Sequence, residues 1–266
     1  MTTLVSGFTL ATERAEAQAI QTDSTGIEAA ETKIPVPGGS MPAYYARPAN
    51  GTKFPVIIVN EEIFGVHEYI ADVCRRLAKA GYLAVATEYY ARIGDLSKMT
   101  DVKQIVADVI SKEPDAQYME DADAAVAWAA ANKGDTDRLG VTGFCRGGRM
   151  TWLFAAHHPG IKAAVAWYGP LGGAPTPIQP ATAADYADKI RCPLLGLYGG
   201  QDPSIPVADV KAVEAKAKAA HKTVEIVIYP DAPHGFHTDY RPSYRKDAAE
   251  DGWKRMLAWF KKYGVA

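Results

Sequence analysis

The sequence predicts an α/β protein with a mostly parallel central sheet and helices on both faces of that sheet. Short apolar segments rich in β-branched residues, such as Phe54–Asn60 and Val224–Tyr229, are typical of strands that are covered on both faces. Segments with helical periodicity lie between them, and Gly or Pro residues separate the two kinds of segment. Strands that alternate with helices in this way pair in parallel.

The chain has 266 residues, of which 48% are hydrophobic and 23% charged, and this is enough for one sizeable α/β domain. We expect that domain to span residues 27–266 and to follow a flexible polar tail, residues 1–26. The short apolar stretch at residues 4–11 has no basic residue before it and charged residues soon after it. We therefore interpret it as part of the tail, with a signal-peptide remnant as the alternative.

The first half of the chain predicts an antiparallel pair of strands and then alternating strands and helices. A turn signal, Pro37-Gly38-Gly39, separates the members of the pair. The later strands are continuous apolar runs, and the helices have one apolar face or an acidic first turn. In order, the predicted strands are residues 27–36, 41–46, 54–60 and 82–87, and the predicted helices are residues 69–80, 101–110 and 115–132.

The second half continues the alternation and ends in a helix with an apolar stripe. Its predicted strands are residues 138–142, 161–168, 193–198 and 224–229, and its predicted helices are residues 149–156, 207–220 and 248–263. The longest irregular insertion, residues 170–180, is rich in Gly, Pro and Thr and follows a strand directly. Open α/β sheets bind ligands beyond the carboxyl ends of their strands, so this insertion lies where a ligand is expected.

The segment Gly143-Phe144-Cys145-Arg146-Gly147-Gly148 joins a predicted strand to a predicted helix and places Cys145 on the sharp turn. This is the context of the G-x-S-x-G nucleophile elbow, with Cys in place of Ser. Small neighbours allow the close packing and the strained backbone that such a turn needs. The helix start also favours a thiolate through its unpaired N–H groups and its dipole. The alternative is an inert buried cysteine.

The cysteine count limits the other roles that these residues could have. Cys74, Cys145 and Cys192 are few and odd in number, which argues against a disulfide scaffold and for a reducing compartment, so we expect a cytoplasmic protein. We interpret Cys74 and Cys192 as core residues. No Cys/His cluster has zinc spacing, and His157-His158 marks a helix end, so we expect no metal and no organic cofactor.

A nucleophile on such a turn needs an acid and a base, which follow it in that chain order. Asp202 lies in the loop after the strand that ends at Tyr198, and His234 lies in the loop after the next strand. Order and placement favour these two residues. Asp231 is an alternative acid, and His237 is an alternative base.

The loop after the strand that ends at Asn60 reads Glu61-Glu62-Ile63-Phe64-Gly65, and it is expected to supply the second N–H of an oxyanion hole. The backbone N–H groups of Ile63 and Arg146 are the candidates. An acid beside a thiolate would raise the pKa of the thiol by repulsion between like charges. The alternatives are a pair of solvated charges or acids at a helix N-terminus.

With these residues in hand, residues 27–266 resemble the dienelactone hydrolase (carboxymethylenebutenolidase) family. The resemblance rests on Cys145, Asp202, His234, Glu62-Ile63-Phe64-Gly65 and Glu88-Tyr89-Tyr90-Ala91-Arg92. It implies an α/β-hydrolase fold and a Cys–His–Asp triad that opens an enol-lactone. It also implies that Glu62 helps to deprotonate the thiol of Cys145 and that Arg92 grips a substrate carboxylate.

Two positions depart from the family pattern. The family carries a second carboxylate-binding arginine four residues after the catalytic His, where this chain has Thr238, and Arg241 or Arg146 could replace it. The residue after the nucleophile is usually apolar or aromatic, and here it is Arg146. Both departures weaken the assignment of a true dienelactone more than that of a lactone or ester.

We expect the enzyme to open a small carboxylated enol-lactone through a thioester acyl-enzyme. A broad esterase or thioesterase is the alternative, and a redox-sensing cysteine protein is a third hypothesis. The expected partner is this small-molecule substrate, and the protein is expected to be a monomer or a weak homodimer. The net charge of −2 gives no basic surface for nucleic acid or an anionic membrane, and no apolar run reaches the roughly 18 residues that span a bilayer.

Overall fold

A computed structural model describes residues 19–266, and these residues form an α/β fold around one eight-stranded sheet. The strand order is β1-β2-β4-β3-β5-β6-β7-β8. Only the pairs β1–β2 and β2–β4 are antiparallel within the described chain, and the other strands pair in parallel. The strands are β1 (Ile27–Val36), β2 (Gly39–Pro48), β3 (Phe54–Asn60), β4 (Leu83–Thr87), β5 (Gly134–Phe144), β6 (Ile161–Trp167), β7 (Leu194–Gly199) and β8 (Val224–Tyr229).

Helices cover the sheet, and this confirms the predicted fold class. Every residue of β4 and of β7 is buried, as is expected of strands with both faces covered. Helix α1 packs on β2 and β4, α4 packs on β5 and β6, and α7 packs on β6 and β7. The helices are α1 (Glu68–Lys79), α2 (Val102–Asp108), α3 (Asp115–Ala131), α4 (Arg146–His157), α5 (Ala183–Tyr186), α6 (Val207–Ala219) and α7 (Lys246–Lys262).

The register of the parallel strands gathers their carboxyl ends at one edge of the sheet. Asn60 at the end of β3 is level with Gly143 near the end of β5, and Phe144 is level with Trp167 at the end of β6. Gly199 at the end of β7 is level with Tyr229 at the end of β8. The loops after β3, β5, β6, β7 and β8 therefore leave the sheet together, and this edge carries the candidate site.

The predicted tail, residues 1–26, lies mostly outside the described residues, but its last part contacts the fold. The backbone N–H of Thr22 donates to Asp72 Oδ1 on α1 at 2.6 Å, and Lys79 Nζ donates to Asp23 Oδ1 at 2.8 Å. Contacts with the fold therefore begin before Gly26, and Asp72, a buried carboxylate on α1, makes one of them. The division into a tail and one domain stays a prediction. Within residues 19–266, no helix combines the length and the hydropathy that crossing a bilayer requires.

Candidate active site

Cys145 lies on the sharp turn between β5 and α4, as the sequence predicts. Its backbone has φ 55° and ψ −120°, a conformation that a residue with a side chain rarely adopts. The backbone N–H of Cys145 donates to the carbonyl of Trp167 at 3.1 Å, and the N–H of Gly148 donates to the carbonyl of Cys145 at 2.9 Å. These bonds hold the strained turn in place and leave the thiol partly exposed at the helix start.

The glycines around Cys145 allow close contact between backbone segments. A Cβ added to Gly147 would lie 2.3 Å from the carbonyl oxygen of Asn60 and 2.5 Å from that of Glu61, and one added to Gly143 would lie 2.2 Å from the carbonyl oxygen of Gly147. A side chain at either glycine would therefore push the start of α4 away from the loop after β3. The small residues bring that loop next to the nucleophile.

Asp202 and His234 meet beside this turn. His234 Nδ1 is hydrogen-bonded to Asp202 Oδ2 at 2.6 Å, and the other carboxylate oxygen accepts bonds from the N–H and the hydroxyl of Ser204 at 2.9 and 2.6 Å. His234 also lies within hydrogen-bonding reach of the Cys145 thiol. The structure thus places the imidazole between a buried carboxylate and the thiol.

These contacts set the charges of the imidazole and the carboxylate. Burial alone would lower the pKa of His234, but the bonds with Asp202 and Cys145 outweigh it and raise that pKa to about 10. Burial would raise the pKa of Asp202, and the bonds from His234 and Ser204 instead hold that pKa below its usual range. At neutral pH the imidazole is therefore protonated, which is the state that stabilises a neighbouring thiolate.

The structure places the alternative acid and base elsewhere. Asp231 is exposed. His237 is buried, and its Nδ1 is hydrogen-bonded to the hydroxyl of Tyr69 at 2.7 Å. Burial, aided by the charge of Arg76, holds the pKa of His237 well below its ordinary value. A neutral histidine tied to Tyr69 is part of the core below the site.

The predicted oxyanion donors are two backbone N–H groups. Arg146 is the first residue of α4, where an N–H has no partner inside the helix. Ile63 lies in the tight turn after β3 that a backbone bridge between Glu62 and Gly65 closes. Since Gly147 packs on the carbonyls of Asn60 and Glu61, this turn lies against the helix start that carries Arg146.

Glu62 is a buried carboxylate, and so the alternative of a solvated charge does not hold. Its Oε2 lies 3.5 Å from His67 Nε2, and the hydroxyl of Thr238 donates to its Oε1 at 3.5 Å. Burial would raise the pKa of Glu62, but the positive charge of Arg241 and the contact with His67 hold that pKa below its usual range. Glu62 is therefore ionised, and the charge of His234 also acts on it.

The two predicted carboxylate-binding arginines have different surroundings. The guanidinium of Arg241 lies over the ring of Phe64, 4.3 Å from the ring centroid. Burial would lower the pKa of Arg241, but the charges of Glu62 and Cys145 contribute to raising that pKa. Arg241 therefore reaches the site. The guanidinium of Arg92 instead donates to both carboxylate oxygens of Asp121 and, at 3.3 Å, to the carbonyl of Pro37. The structure does not bring Arg92 to this group of residues.

The guanidinium fork of Arg92 is occupied by Asp121, a buried carboxylate on α3. The guanidinium therefore lies between α3 and the turn after β1. No local pattern indicates that pairing, because Asp121 is one of several acids on a predicted helix. The role of Arg92 as the carboxylate grip stays a prediction.

Two residues of the site were missed by the sequence reasoning. Tyr168 follows β6 with φ 36°, its ring meets that of His234 at a centroid distance of 5.2 Å, and its hydroxyl lies 3.4 Å from the hydroxyl of Thr238. His67 faces Glu62 from the residue before α1. The position of Tyr168, between a buried strand and Gly169, is a sequence signal for a site residue at the end of that strand. His67 has no such signal.

The remaining cysteines lie in the core. Cys74 and Cys192 are buried, and burial raises the pKa of Cys192 to about 12. Neither is exposed enough to act as a resolving thiol for Cys145. In the part of the chain that the structure describes, no three His, Cys, Asp or Glu side chains are arranged to hold a metal ion.

A strand-to-helix turn that presents a nucleophile, followed in the chain by an acid and a base at the same sheet edge, defines a hydrolase of the α/β-hydrolase class. The model of the dienelactone hydrolase family matches residues 41–264, and the chain belongs to that family. It is accordingly a carboxylic ester hydrolase, of a kind that acts on ester or lactone bonds.

Individual relatives agree with this assignment. A protein of Methylorubrum extorquens named "Putative carboxymethylenebutenolidase" is 56% identical over 267 residues, covering 100% of this chain and 92% of the relative. A Bradyrhizobium protein named "Probable 2-oxo-3-(5-oxofuran-2-ylidene)propanoate lactonase" is 33% identical over 228 residues, covering 84% of this chain and 90% of the relative. The crystal structure of a "Putative Dienelactone Hydrolase" from Klebsiella pneumoniae is 52% identical, with a TM-score of 0.88 over 89% of this chain and 99% of that chain.

Proposed function

We propose that the enzyme opens small carboxylated enol-lactones through a Cys145–His234–Asp202 triad and a thioester intermediate. The observation that carries this proposal is the position of His234, which is hydrogen-bonded to the buried carboxylate of Asp202 and lies close enough to Cys145 to interact with its sulfur. A triad of this kind activates a thiol and later transfers protons to and from the reacting oxygens.

In the first half of the reaction, the sulfur of Cys145 attacks the lactone carbonyl carbon. The S–C bond forms while the carbonyl oxygen gains negative charge, and the N–H groups of Ile63 and Arg146 bind that oxygen. Each such donor contributes about 3–4 kcal/mol to the stability of the transition state in comparable sites. The ring C–O bond then breaks, and the leaving enolate takes a proton from the imidazolium of His234.

In the second half, water hydrolyses the thioester. His234, now neutral, accepts a proton from the water molecule as its oxygen bonds to the acyl carbon. The C–S bond breaks, the carboxylic acid product leaves and releases its proton to solvent, and the thiolate and the imidazolium are formed again. Asp202 keeps the imidazole oriented and stabilises its positive charge throughout, which agrees with the raised pKa of His234.

Glu62 is proposed to help to remove the thiol proton when substrate arrives. It is buried, ionised and subject to the charge of His234, and its charge also acts on the neighbouring Tyr168. A substrate that draws Arg241 away from Glu62 would leave the carboxylate more basic. The proton that Glu62 takes returns to the sulfur after the product has left.

Arg241 is proposed to bind the carboxylate of the substrate. It is a cation within electrostatic reach of both Glu62 and Cys145, and it lies on the ring of Phe64 in the loop after β3. A planar guanidinium suits a carboxylate. The Bradyrhizobium relative, whose name describes a lactonase for a propanoate, supports a substrate that carries both a lactone ring and a carboxylate.

A broad esterase or thioesterase activity is the second candidate. It is favoured by the surroundings of Arg92, which is engaged with Asp121, and by Thr238, which replaces a second arginine. If Arg241 is the sole arginine that binds the substrate carboxylate, a carboxylated lactone has a smaller rate advantage over a neutral ester. The ratio of the two rates therefore decides between the candidates.

The mechanism is tested by trapping the acyl-enzyme. Rapid quenching in acid during turnover, followed by peptide mass spectrometry, should find the acyl group on the peptide that contains Cys145. Cys145→Ala should lose both the adduct and the activity, and Cys74→Ala is the matched control because Cys74 is a buried thiol outside the site. Hydrolysis by Cys145→Ala at the wild-type rate would exclude the proposal.

We further propose that residues 27–266 act as one domain and that the protein works as a monomer or a weak homodimer. The cytoplasm is the proposed compartment, on the basis of the low and odd cysteine count of the sequence.

A further inference from the structure

A second group of polar side chains lies near Cys145 and has no part in the mechanism above. It consists of Glu113, Tyr90 and the side chain of Arg146. Burial raises the pKa of Tyr90, the charges of Glu113 and Cys145 add to this, and the charge of Arg146 opposes it. The hydroxyl of Tyr90 is therefore within electrostatic reach of Cys145 and of both charged side chains.

Two atoms of this group lack partners among the described residues. Glu113 is 1% exposed, and its Oε1 accepts no hydrogen bond from residues 19–266. The buried Nε of Arg146 donates none to the same residues. Within the described part of the chain, the hydroxyl of Tyr90 has only a long contact, 3.9 Å, with the sulfur of Met150. Since buried polar atoms are almost always hydrogen-bonded, an acceptor and a donor left in this way beside a nucleophile point to a ligand.

Glu113 is held firmly in its position. Gln179 Nε2 donates to the carbonyl of Glu113 at 2.9 Å and to the carbonyl of Ile110 at 2.9 Å, so the segment before α3 is tied to the insertion predicted over residues 170–180. Arg149 on α4 forms a bidentate ion pair with Asp115 at 2.7 and 2.9 Å. The backbone at Glu113 is thus fixed between α4 and the insertion, which limits where its side chain can lie, and a preorganised group binds a ligand at a lower entropic cost.

The two unpartnered atoms limit the kind of ligand. Nε of Arg146 offers a hydrogen, and Oε1 of Glu113 needs one, and a hydroxyl group satisfies both because it accepts and donates. A carboxylate accepts hydrogen bonds but donates none, so it would leave Oε1 of Glu113 without a hydrogen. Burial, with Arg146 opposing it, raises the pKa of Glu113 to about 8, and its carbonyl oxygen is an acceptor in either charge state.

We propose that Glu113 and Arg146 bind a hydroxyl group of the substrate, so that the enzyme prefers lactones or esters that are hydroxylated close to the reacting carbonyl. This inference rests on the proposed hydrolysis by Cys145. Arg241 then holds an anionic end of the substrate near Glu62, and Glu113 and Arg146 hold a hydroxyl on the side of Tyr90.

The test compares two neutral aryl esters that differ in one hydroxyl group on the acyl chain. Wild-type enzyme should favour the hydroxylated ester in kcat/KM by about tenfold or more, because a site built for a hydroxyl leaves polar atoms unpaired when the hydroxyl is missing. Glu113→Met and Arg146→Met should bring this ratio close to one. Glu120→Met is the matched control, because Glu120 is an exposed acid on α3, and it should keep the wild-type ratio.

Glu113→Gln keeps a carbonyl oxygen and should keep most of the preference, which provides a variant if Glu113→Met fails to fold. An equal rate for both esters in wild-type enzyme, with hydrolysis still dependent on Cys145, would overturn the hydroxyl site and leave the proposed function standing. Hydrolysis that does not depend on Cys145 would instead remove the proposed function. A preference that survives in both Glu113→Met and Arg146→Met would assign the selection to other residues and overturn the inference.

Discussion

Glu61 and Glu62 are neighbours in the chain, and both are buried, yet the structure gives them opposite charge states. Burial raises the pKa of Glu61 well above its ordinary value, and the nearby carboxyls of Glu88 and Glu113 raise it further. Burial has the same effect on Glu62, but Arg241 and His67 outweigh it and lower that pKa. Glu61 is therefore neutral and Glu62 is ionised at the same pH.

The difference comes from the elements that each side chain meets. Glu61 accepts a bond from the N–H of Tyr89 at 2.8 Å, in the loop after β4, where Glu88 also lies. Glu62 faces His67 before α1 and Thr238 after β8. A pair of adjacent acids in a sequence thus supplies one structural hydrogen-bonding group and one charge for chemistry, and burial alone does not decide which is which.

The largest expected effect separates these two acids directly. Glu62→Gln removes the only charge of the pair, and we expect kcat/KM for a carboxylated lactone to fall about 100-fold or more, in the range of a lost acid–base group. Glu61→Gln replaces a carboxyl that is already neutral and should retain activity within about twofold. Steady-state kinetics of the two variants at one pH tests the comparison.

The two variants also serve as controls for each other, because both introduce the same amide into the same loop. Thermal unfolding checks that each variant is folded at the temperature of the kinetic measurement. If Glu61→Gln were the inactive variant, or if both kept full activity, the charge assignment of this loop would be incorrect.

An intermediate effect is expected when Arg241 is removed. Arg241→Met takes away the main charge that lowers the pKa of Glu62, so this pKa should rise and the acidic limb of the kcat/KM profile should move to higher pH. A lost charge-assisted hydrogen bond to the substrate corresponds to about 10–100-fold in kcat/KM for the carboxylated lactone, and a neutral ester should lose less. Profiles of kcat/KM against pH for both substrates measure the two effects separately.

The sign of the stability change follows from the same pKa. A carboxyl whose pKa is lowered by folding stabilises the protein above its unfolded pKa, and that contribution is lost as the pH falls through the folded value. Arg241→Met should therefore reduce the free energy of unfolding at neutral pH and make it less sensitive to acid. Urea unfolding at several pH values tests this, and an acidic limb that stays in place would contradict the link between Arg241 and Glu62.

Most of the fold could be predicted from sequence because its signals are local. The strands Ile27–Val36, Phe54–Asn60 and Val224–Tyr229 have the predicted bounds, since each is an apolar or alternating run between turn residues. The predicted helix over residues 101–110 instead ends at Asp108, and a 3₁₀ turn, Ile110–Lys112, follows it. That turn leads to Glu113, which the insertion holds in place, and such a tertiary contact has no local pattern.

The residues of the candidate site also differ in whether a local sequence signal predicts them or a tertiary contact places them. Cys145, Asp202 and His234 could be found because each directly follows a strand, and parallel strands bring their ends together. The choice between Arg92 and Arg241 depended on which of them meets a buried acid and which faces the site. That choice is a property of side chains on α3 and after β8, and no spacing in the sequence encodes it.

The smallest expected effect concerns Arg92, and it tests whether Arg241 and not Arg92 binds the substrate carboxylate. Its guanidinium is bonded to Asp121, so Arg92→Ala should change the preference for a carboxylated lactone over a neutral ester by less than about twofold, as is usual for a substitution away from the site. The same variant leaves the buried Asp121 without its partner, and the free energy of unfolding should fall measurably. A loss of the carboxylate preference as large as that of Arg241→Met would show that Arg92 leaves Asp121 when substrate binds. The ion pair would then be the resting position of a second substrate-binding arginine. The two arginines would then differ in when they reach the substrate, and both would bind it.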